Sequence, residues 1–400
     1  MTRAFAIRFT LALALAGACT TRQDVLVGPT CLSPMPGACT TPSAPITQLA
    51  LGLRHACLAT TAGVSCWGSN LNGQLAACLT TSLLEVPFAE LTLDATQLAL
   101  GEQHTCALEA SHALACWGQS ADGQTGVGVG SSSPTPTTLA GSWSSVSSRR
   151  FHTCGVKTDG TLWCWGRNDL GQLGVGDTTS RSVPTQVDAG STRTWSRVVV
   201  GGSTTCALDS TGATWCWGQN DQGEVGNGTT TTQTTPVQVA IVGPTTFTEL
   251  ALGKEHSCGL DGSGKIWCWG RGMEGQLGNL MTGAAASQST PVVVTSATTA
   301  TMTWRALAAG WFHTCAIDSA GALYCWGDNT QQALAATATS FYSKPLLIDA
   351  GPWSAVAAGY GFTCVRDAAG TKLSCFGVND AGQLGVGDLT THTPPTAVCW

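Results

Sequence analysis

The run His152-Thr153-Cys154-Gly155-Val156, the turn Thr158-Asp159-Gly160 and the run Thr161-Leu162-Trp163-Cys164-Trp165 place two β-branched, apolar or aromatic segments on either side of an Asp/Gly turn. That is the pattern of a β-hairpin. After it, Pro184-Thr185-Gln186-Val187 reads as a short outer strand, since proline is tolerated at sheet edges. Ahead of the next hairpin, Trp195-Ser196-Arg197-Val198-Val199-Val200-Gly201 reads as a further strand. Alternation puts Trp163 and Trp165 on one face of their strand and Leu162 and Cys164 on the other, so both faces are apolar. A sheet of this kind must be covered on both sides.

The hairpin recurs. Trp163-Cys164-Trp165-Gly166 returns as Trp215-Cys216-Trp217-Gly218 and Trp267-Cys268-Trp269-Gly270, and more loosely as Cys66-Trp67-Gly68, Cys116-Trp117-Gly118, Cys325-Trp326-Gly327 and Cys375-Phe376-Gly377. Successive second cysteines lie 50, 48, 52, 52, 57 and 50 residues apart, a period at which each unit is one small sheet of a propeller or one turn of a solenoid. Four strands per unit, with no helical period, predicts one propeller blade per repeat. The fold class is therefore all-β, a seven-bladed propeller with four-stranded blades, almost free of α-helix.

The motif Gly-x-x-His-[Thr/Ser]-x-[Ala/Gly]-Leu, then Asp-x-x-Gly, then Trp-Gly-x-Asn-x-x-Gly-Gln-Leu-Gly resembles the regulator of chromosome condensation repeat, whose members form seven-bladed β-propellers. Trp165 to Gly174 carries it almost in full, with related stretches at Gly73-Gln74-Leu75, Gly123-Gln124, Gly223-Glu224-Val225-Gly226, Gly275-Gln276-Leu277-Gly278 and Gly382-Gln383-Leu384-Gly385. The resemblance covers about residues 46 to 398. Three copies depart from it: the sixth has Gln331-Gln332-Ala333-Leu334, while Thr204 and Phe362 replace the histidine in the fourth and seventh.

Each repeat adds a cysteine pair to that pattern: Cys57 with Cys66, Cys106 with Cys116, Cys154 with Cys164, Cys206 with Cys216, Cys258 with Cys268, Cys315 with Cys325 and Cys364 with Cys375. Across a hairpin with a turn of about four residues, the two positions face each other or sit one register step away, within disulfide reach. Seven blade disulfides are expected. A metal site would want Cys-x-x-Cys or cysteine and histidine clustered at ligand spacing, and His-x-Cys followed ten residues later by one more cysteine gives only three ligands per blade, so no metal and no cofactor is expected.

Residues that recur in every blade are read first as serving the blade. His55, His104, His152, His256 and His313 occupy one equivalent position and are expected to hydrogen-bond within their sheets rather than to form a metal ring. Asp159, Asp209, Asp261, Asp318 and Asp367 read as Asx-turn residues. They also resemble the Asp-box of sialidase-type propellers. That chemistry needs an arginine cluster and a tyrosine nucleophile, whereas the chain has three tyrosines and one, Tyr324, stands where Trp163 does. No nucleophile triad, phosphate loop or paired-carboxylate motif escapes the repeat, so no catalytic residue is assigned.

Ahead of the repeats, Arg3 and Arg8 precede the apolar run Phe9 to Ala18, which predicts a signal peptide over residues 1–18. Leu15-Ala16-Gly17-Ala18-Cys19 resembles the lipobox of bacterial lipoproteins, which implies lipidation of Cys19, although Ala16 stands where that family prefers leucine. Without Cys19, 18 of the 19 cysteines remain, an even number that can pair completely. Residues 19–45 form a Pro/Thr-rich tether and residues 46–400 the propeller. The ring closes where the first and last repeats meet. Propeller families commonly complete one sheet there with strands from both termini, and Cys399 is expected to help as a covalent clasp with a partner among Cys31, Cys39 and Cys78.

The balance of 18 Lys and Arg against 24 Asp and Glu, with a charged fraction of 10%, offers no basic face for nucleic acid. Nineteen cysteines point to an oxidising compartment. The eukaryotic members that name the family act as guanine-nucleotide exchange factors on a nuclear GTPase, partners that an exported acidic chain would not meet, and bacterial secreted members include a β-lactamase inhibitor. The expected role is thus a non-enzymatic, lipid-anchored, monomeric scaffold of the bacterial cell envelope or surface. It would bind a protein or an envelope polymer through loops such as Gly126 to Pro136, Gly226 to Pro236 and Leu280 to Pro291. The alternative is an envelope polysaccharide hydrolase or lyase, which a screen for glycan cleavage separates.

Overall fold

The computed structural model describes residues 44–76, 82–128, 130, 132–241, 246–295, 302–336 and 339–400. The signal segment, Cys19, the tether with Cys31 and Cys39, and Cys78 lie outside the described residues. Seven antiparallel four-stranded sheets follow one another along the chain: blade 1 (Ile46–Leu91), blade 2 (Ala95–Leu139), blade 3 (Trp143–Gln186), blade 4 (Trp195–Gln238), blade 5 (Phe247–Val293), blade 6 (Trp304–Asp349) and blade 7 (Ala355–Ala397). Among the described residues there is no α-helix, only a 3₁₀ turn at Ala284–Ala286.

In each blade the strands run in chain order from inside to outside. The first strands of successive blades contact one another, those of blades 7 and 1 included, and so line a central channel. No described sheet mixes strands from the two chain ends, which differs from the common propeller closure. The ring instead closes by packing. Ile46, Ala56, Leu58 and Trp67 of blade 1 share a buried cluster with Phe362, Cys364, Leu373, Cys375 and Leu384 of blade 7, and the Ile46 amide donates to Gly370 O at 2.9 Å.

The cysteine pairs form as expected. Cys154 stands directly opposite Cys164 in the hairpin with Cα atoms 4.1 Å apart. The same register and spacing bring together Cys57 and Cys66, Cys106 and Cys116, Cys206 and Cys216, Cys258 and Cys268, Cys315 and Cys325, and Cys364 and Cys375. That close approach is typical of the non-hydrogen-bonded pairs of an antiparallel ladder. Each disulfide is buried on the face turned to the next blade: Cys154, Cys164 and Leu162 pack against Trp195, Val198 and Trp217, and Cys206 and Cys216 pack against Phe247, Leu250 and Trp269. Cys258 and Cys268 likewise pack against Trp304, Leu307 and Trp326. On the opposite face Trp163 and Trp165 pack against Cys106, Leu114 and Cys116 of blade 2. Cys399 is also in a disulfide, and its partner is none of the fourteen blade cysteines, which pair within their own hairpins.

The Trp-Gly-x-Asn-x-x-Gly-Gln-Leu-Gly loop is the device that joins blades. In blade 3, Asn168 Oδ1 accepts from Leu173 N at 2.9 Å and Gln172 Oε1 from Leu170 N at 2.9 Å, which folds the loop onto itself. The Gln172 carbonyl is thereby presented to blade 4, where it accepts from Trp217 Nε1 at 2.9 Å and Thr205 Oγ1 at 2.8 Å. Gly174, at φ 71°, ends the loop against that indole; a Cβ there would lie 2.6 Å from Trp217 Nε1. The same indole bond joins blades 1–2, 2–3, 4–5, 5–6 and 7–1, through Trp117, Trp165, Trp269, Trp326 and Trp67. Between blades 6 and 7 it is missing because Phe376 stands in the place of tryptophan, with Ala333 facing it in the place of glutamine. The altered loop of the sixth copy and the phenylalanine of the seventh therefore fall on one interface.

Candidate functional site

The five equivalent histidines are fully buried and each spans to the next blade rather than bonding within its own sheet, which corrects the sequence-based expectation. His55 Nε2 meets Thr105 Oγ1 at 3.0 Å, His104 meets Thr153 at 2.8 Å, His152 meets Thr205 at 2.9 Å, and His256 and His313 meet Thr314 and Thr363 at 3.0 Å. Each threonine hydroxyl donates to a loop carbonyl, Thr105 to Gln74 for example, so its oxygen accepts from an Nε2–H imidazole. Sequence alone could not show this, because the partner sits about 50 residues away. Desolvation holds the five imidazoles down to about 3, hence neutral. In the Gly-x-x-His motif the ring occupies the space of a missing side chain: a Cβ on Gly310 would lie 2.0 Å from His313 Cε1.

Asp159, Asp209, Asp261 and Asp318 accept from the amide two residues on, as expected of Asx turns, whereas Asp367 accepts from Thr371 N and Lys372 N, four and five residues on. Asp209 and Asp261 accept from the backbone amides two and four residues on, and each also accepts from an indole, Trp215 at 2.9 Å and Trp267 at 2.8 Å. The Thr/Gly-rich loops are partly occupied by their neighbours: Gly128 N donates to Ser182 O, Gly228 N to Ser289 O and Leu280 N to Ser343 O, each on the outer strand of the next blade. Val127, Leu280 and Met281 remain exposed there.

A different surface concentrates chemistry. The two residues between the glycine and the histidine of each motif ring one mouth of the channel, and the second of them bonds the residue after Trp-Gly: Arg167 N donates to Phe151 O, Arg271 N to Glu255 O and Asp328 N to Phe312 O. These variable positions sit on a constant frame. On blades 5 to 7 they assemble a half-buried aromatic cluster. Trp311 packs edge-on to Tyr360 at 4.5 Å and to Phe312 at 6.3 Å. Lys254 Nζ lies 4.9 Å from the Phe312 ring and 5.2 Å from Trp311, with the Arg271 guanidinium 5.1 Å from Phe312. Arg271 is held by Glu255 at 3.1 Å and Glu274 at 2.5 Å. Across the mouth, Arg150 and Arg167 flank Phe151. Leu71 and Met273, on the adjoining loops, are 72% and 40% exposed.

Arg149 completes the mouth, and the repeat motif does not mark it. It stands in blade 3 where Gly52, Gly101, Gly201, Gly253, Gly310 and Gly359 stand in the other six. Its Nη1 donates to Leu252 O of blade 5 at 3.0 Å and to Ala309 O of blade 6 at 2.8 Å, so the side chain reaches across the channel. Burial lowers this guanidinium to about 10. The signal that could have found it is the single arginine in a column that is otherwise glycine in every blade.

The Regulator of chromosome condensation (RCC1) repeat pattern matches residues 159–208, 211–260 and 263–317, and a second pattern of the same description matches 95–124, 143–172, 195–224, 247–276 and 304–332. Among curated relatives, the mitochondrial RCC1 domain-containing protein RUG3 of Arabidopsis thaliana is 31% identical over 33% of this chain and 28% of its own length. The Ultraviolet-B receptor UVR8 of the same plant is 28% identical over 50% and 45%. The chain thus spans less than half the length of these relatives. Among solved structures, human WBSCR16 superposes with a TM-score of 0.74 at 21% identity over 82% of this chain and 88% of that one. Prp20p of Saccharomyces cerevisiae gives 0.73 at 18% identity over 90% and 87%. At such identities the likeness is one of fold.

Proposed function

Because the chain belongs to the regulator of chromosome condensation repeat family, we propose that it is a non-enzymatic propeller that binds a protein partner through the channel-mouth face. The observation that carries this reading is the cluster of Lys254, Arg271, Trp311, Phe312 and Tyr360, aromatic and cationic anchors at the variable positions of a repeated frame. Partly buried Trp, Tyr and Arg are the side chains that dominate interface energies. The Prp20p structure, described with its binding properties to Gsp1p and histones, supplies a precedent of fold for protein recognition. In a pull-down from envelope extract, followed by titration of the purified partner, Trp311→Ala with Arg271→Ala is expected to weaken binding at least tenfold, about 1.4 kcal/mol, without changing the thermal midpoint. Equal binding by the doubly substituted protein would sink the assignment of this face.

On the same reading the protein lies outside the cytoplasm, anchored by a lipid on Cys19. Seven disulfides support an oxidising compartment, and no helix among the described residues is long and apolar enough to cross a membrane. Cys19→Ser is expected to move the protein from the membrane to the soluble fraction and to change its mobility. Retention with unchanged mobility would show that the thiol is not the anchor.

A further inference from the structure

We infer that the channel mouth holds a carboxylate-binding site centred on Arg149, built from a half-buried guanidinium that has no anion within ion-pair distance among the described residues. Leu51, Gly52, Leu100, Gly101, Glu102, Arg149, Arg150 and Trp311 line one cavity at this mouth. Two adjacent arginines of blade 3 enter it, and among the described residues neither has a carboxylate within ion-pair distance. Buried cations are ordinarily paired, because desolvation without a counter-charge is costly. Arg149 is fixed instead by two neutral carbonyls, both on Nη1. Its Nε and Nη2 donate to no acceptor among the described residues, and that edge of a guanidinium is the one that takes a carboxylate in two parallel bonds. Arg150 donates from Nη1 to Ser203 Oγ at 3.1 Å, while its own Nε is buried with no partner among the described residues.

The other groups facing the site select the kind of anion. Glu102 lies on the cavity wall, and the rings of His256 and His313, close enough to feel the Arg149 charge, stay neutral. Glu102 feels the charge of Arg150, which leaves Arg149 as the guanidinium without a carboxyl partner, and one such charge suits a planar monoanion better than a phosphate dianion. Gly52 and Gly101 contribute backbone to the opposite wall, the space of their missing side chains being taken by His55 and His104, and Trp311 offers an apolar edge for the carbon that bears the carboxylate. This deepens the docking proposal and rests on it only for the source of the carboxylate, a chain terminus or an acidic side chain of the partner.

The test is calorimetric titration of the full-length oxidised protein with three short glycine-alanine peptides. One has a free C-terminal carboxylate, one is its C-terminal amide, and one is amidated but carries an internal aspartate. Either carboxylate-bearing peptide is expected to bind saturably, with the preferred one naming the source, and the plain amide is expected to bind at least tenfold more weakly. Arg149→Gly is expected to fold, because glycine fills this place in the other six blades, and to lose at least tenfold of that affinity. Arg149→Lys and Trp311→Ala give independent readings should the glycine variant prove unstable, with weakened binding expected in both. Equal binding of the amide, undiminished binding by Arg149→Gly, or displacement of the peptide by inorganic phosphate at equal affinity would overturn the site. If the site stands and the partner still binds Trp311→Ala/Arg271→Ala unchanged, the docking face is wrong and the carboxylate site is not.

Discussion

Lowering the pH from 7.5 to 5.5 is expected to cost the folded state about 4 kcal/mol, a large part of the stability of an ordinary protein, with about 7 lost through buried imidazoles and about 2.5 regained through one buried carboxyl group. The cause is the set of five inter-blade imidazoles. Their folded value is about 3 against 6.5 when unfolded, so below pH 6.5 the unfolded chain takes up protons that the folded one refuses. Stability is fully present above pH 6.5 and falls as the pH drops towards 3, by about 1.4 kcal/mol per histidine at pH 5.5. Protonation has no structural outlet, since Nδ1 of His55, His104, His152 and His256 is buried without a partner among the described residues. Glu224 works in the opposite direction. Burial pushes its carboxyl up to about 8, so its contribution declines as the pH rises from 4.5 to 8 and the stability optimum falls near neutrality. The seam between blades 7 and 1 supplies the control, because Phe362 and Ala56 replace histidine and threonine there and form a buried apolar pair. His256→Phe with Thr314→Ala should remove about 1.4 kcal/mol, roughly a third of the net acid loss, in urea titrations at pH 7.5 and 5.5. An acid loss that this pair leaves untouched would show that the imidazoles are not its source.

Reducing the blade disulfides is expected to have an effect of similar size. Each closes a loop of 9 to 11 residues, about 2.7 kcal/mol in the chain-entropy treatment and less for a hairpin that is already formed. Even ~1 kcal/mol each makes ~7 kcal/mol for the ring and lowers the thermal midpoint by at least about 10 °C. Because the sulfurs are buried between blades, dithiothreitol alone should act slowly and moderate urea should accelerate it sharply. Rapid reduction in buffer with an unchanged midpoint would contradict the placement of the bridges. Non-reducing peptide mapping of the same sample identifies the partner of Cys399; the clasp we propose requires Cys31, Cys39 or Cys78.

What the sequence made legible was local. Hairpin, turn and cysteine pairing lie within about a dozen residues, so alternation and turn chemistry were enough to place strands such as His152–Lys157 and Leu162–Gly166. What it hid was carried between repeats. The His–Thr bonds join residues about 50 apart, and Arg149 acts on carbonyls 103 and 160 residues away. The attention given to the Thr/Gly-rich loops followed composition. The channel-mouth cluster instead occupies the two unspecified positions of Gly-x-x-His, where a pattern defined by what repeats carries no information.

Every sheet is a single uninterrupted stretch of chain, and the seam between blades 7 and 1 carries the same Trp67–Gln383 bond that joins most of the other blades. The place where the ring closes is therefore built like the other seams and is no junction in the architecture. A circular permutant opened in the Val187–Thr194 linker and joined at the old ends would retain every blade whole. The unit that repeats along the sequence and the unit of assembly in the ring are the same object, so such a propeller can change by whole blades without any sheet having to be shared.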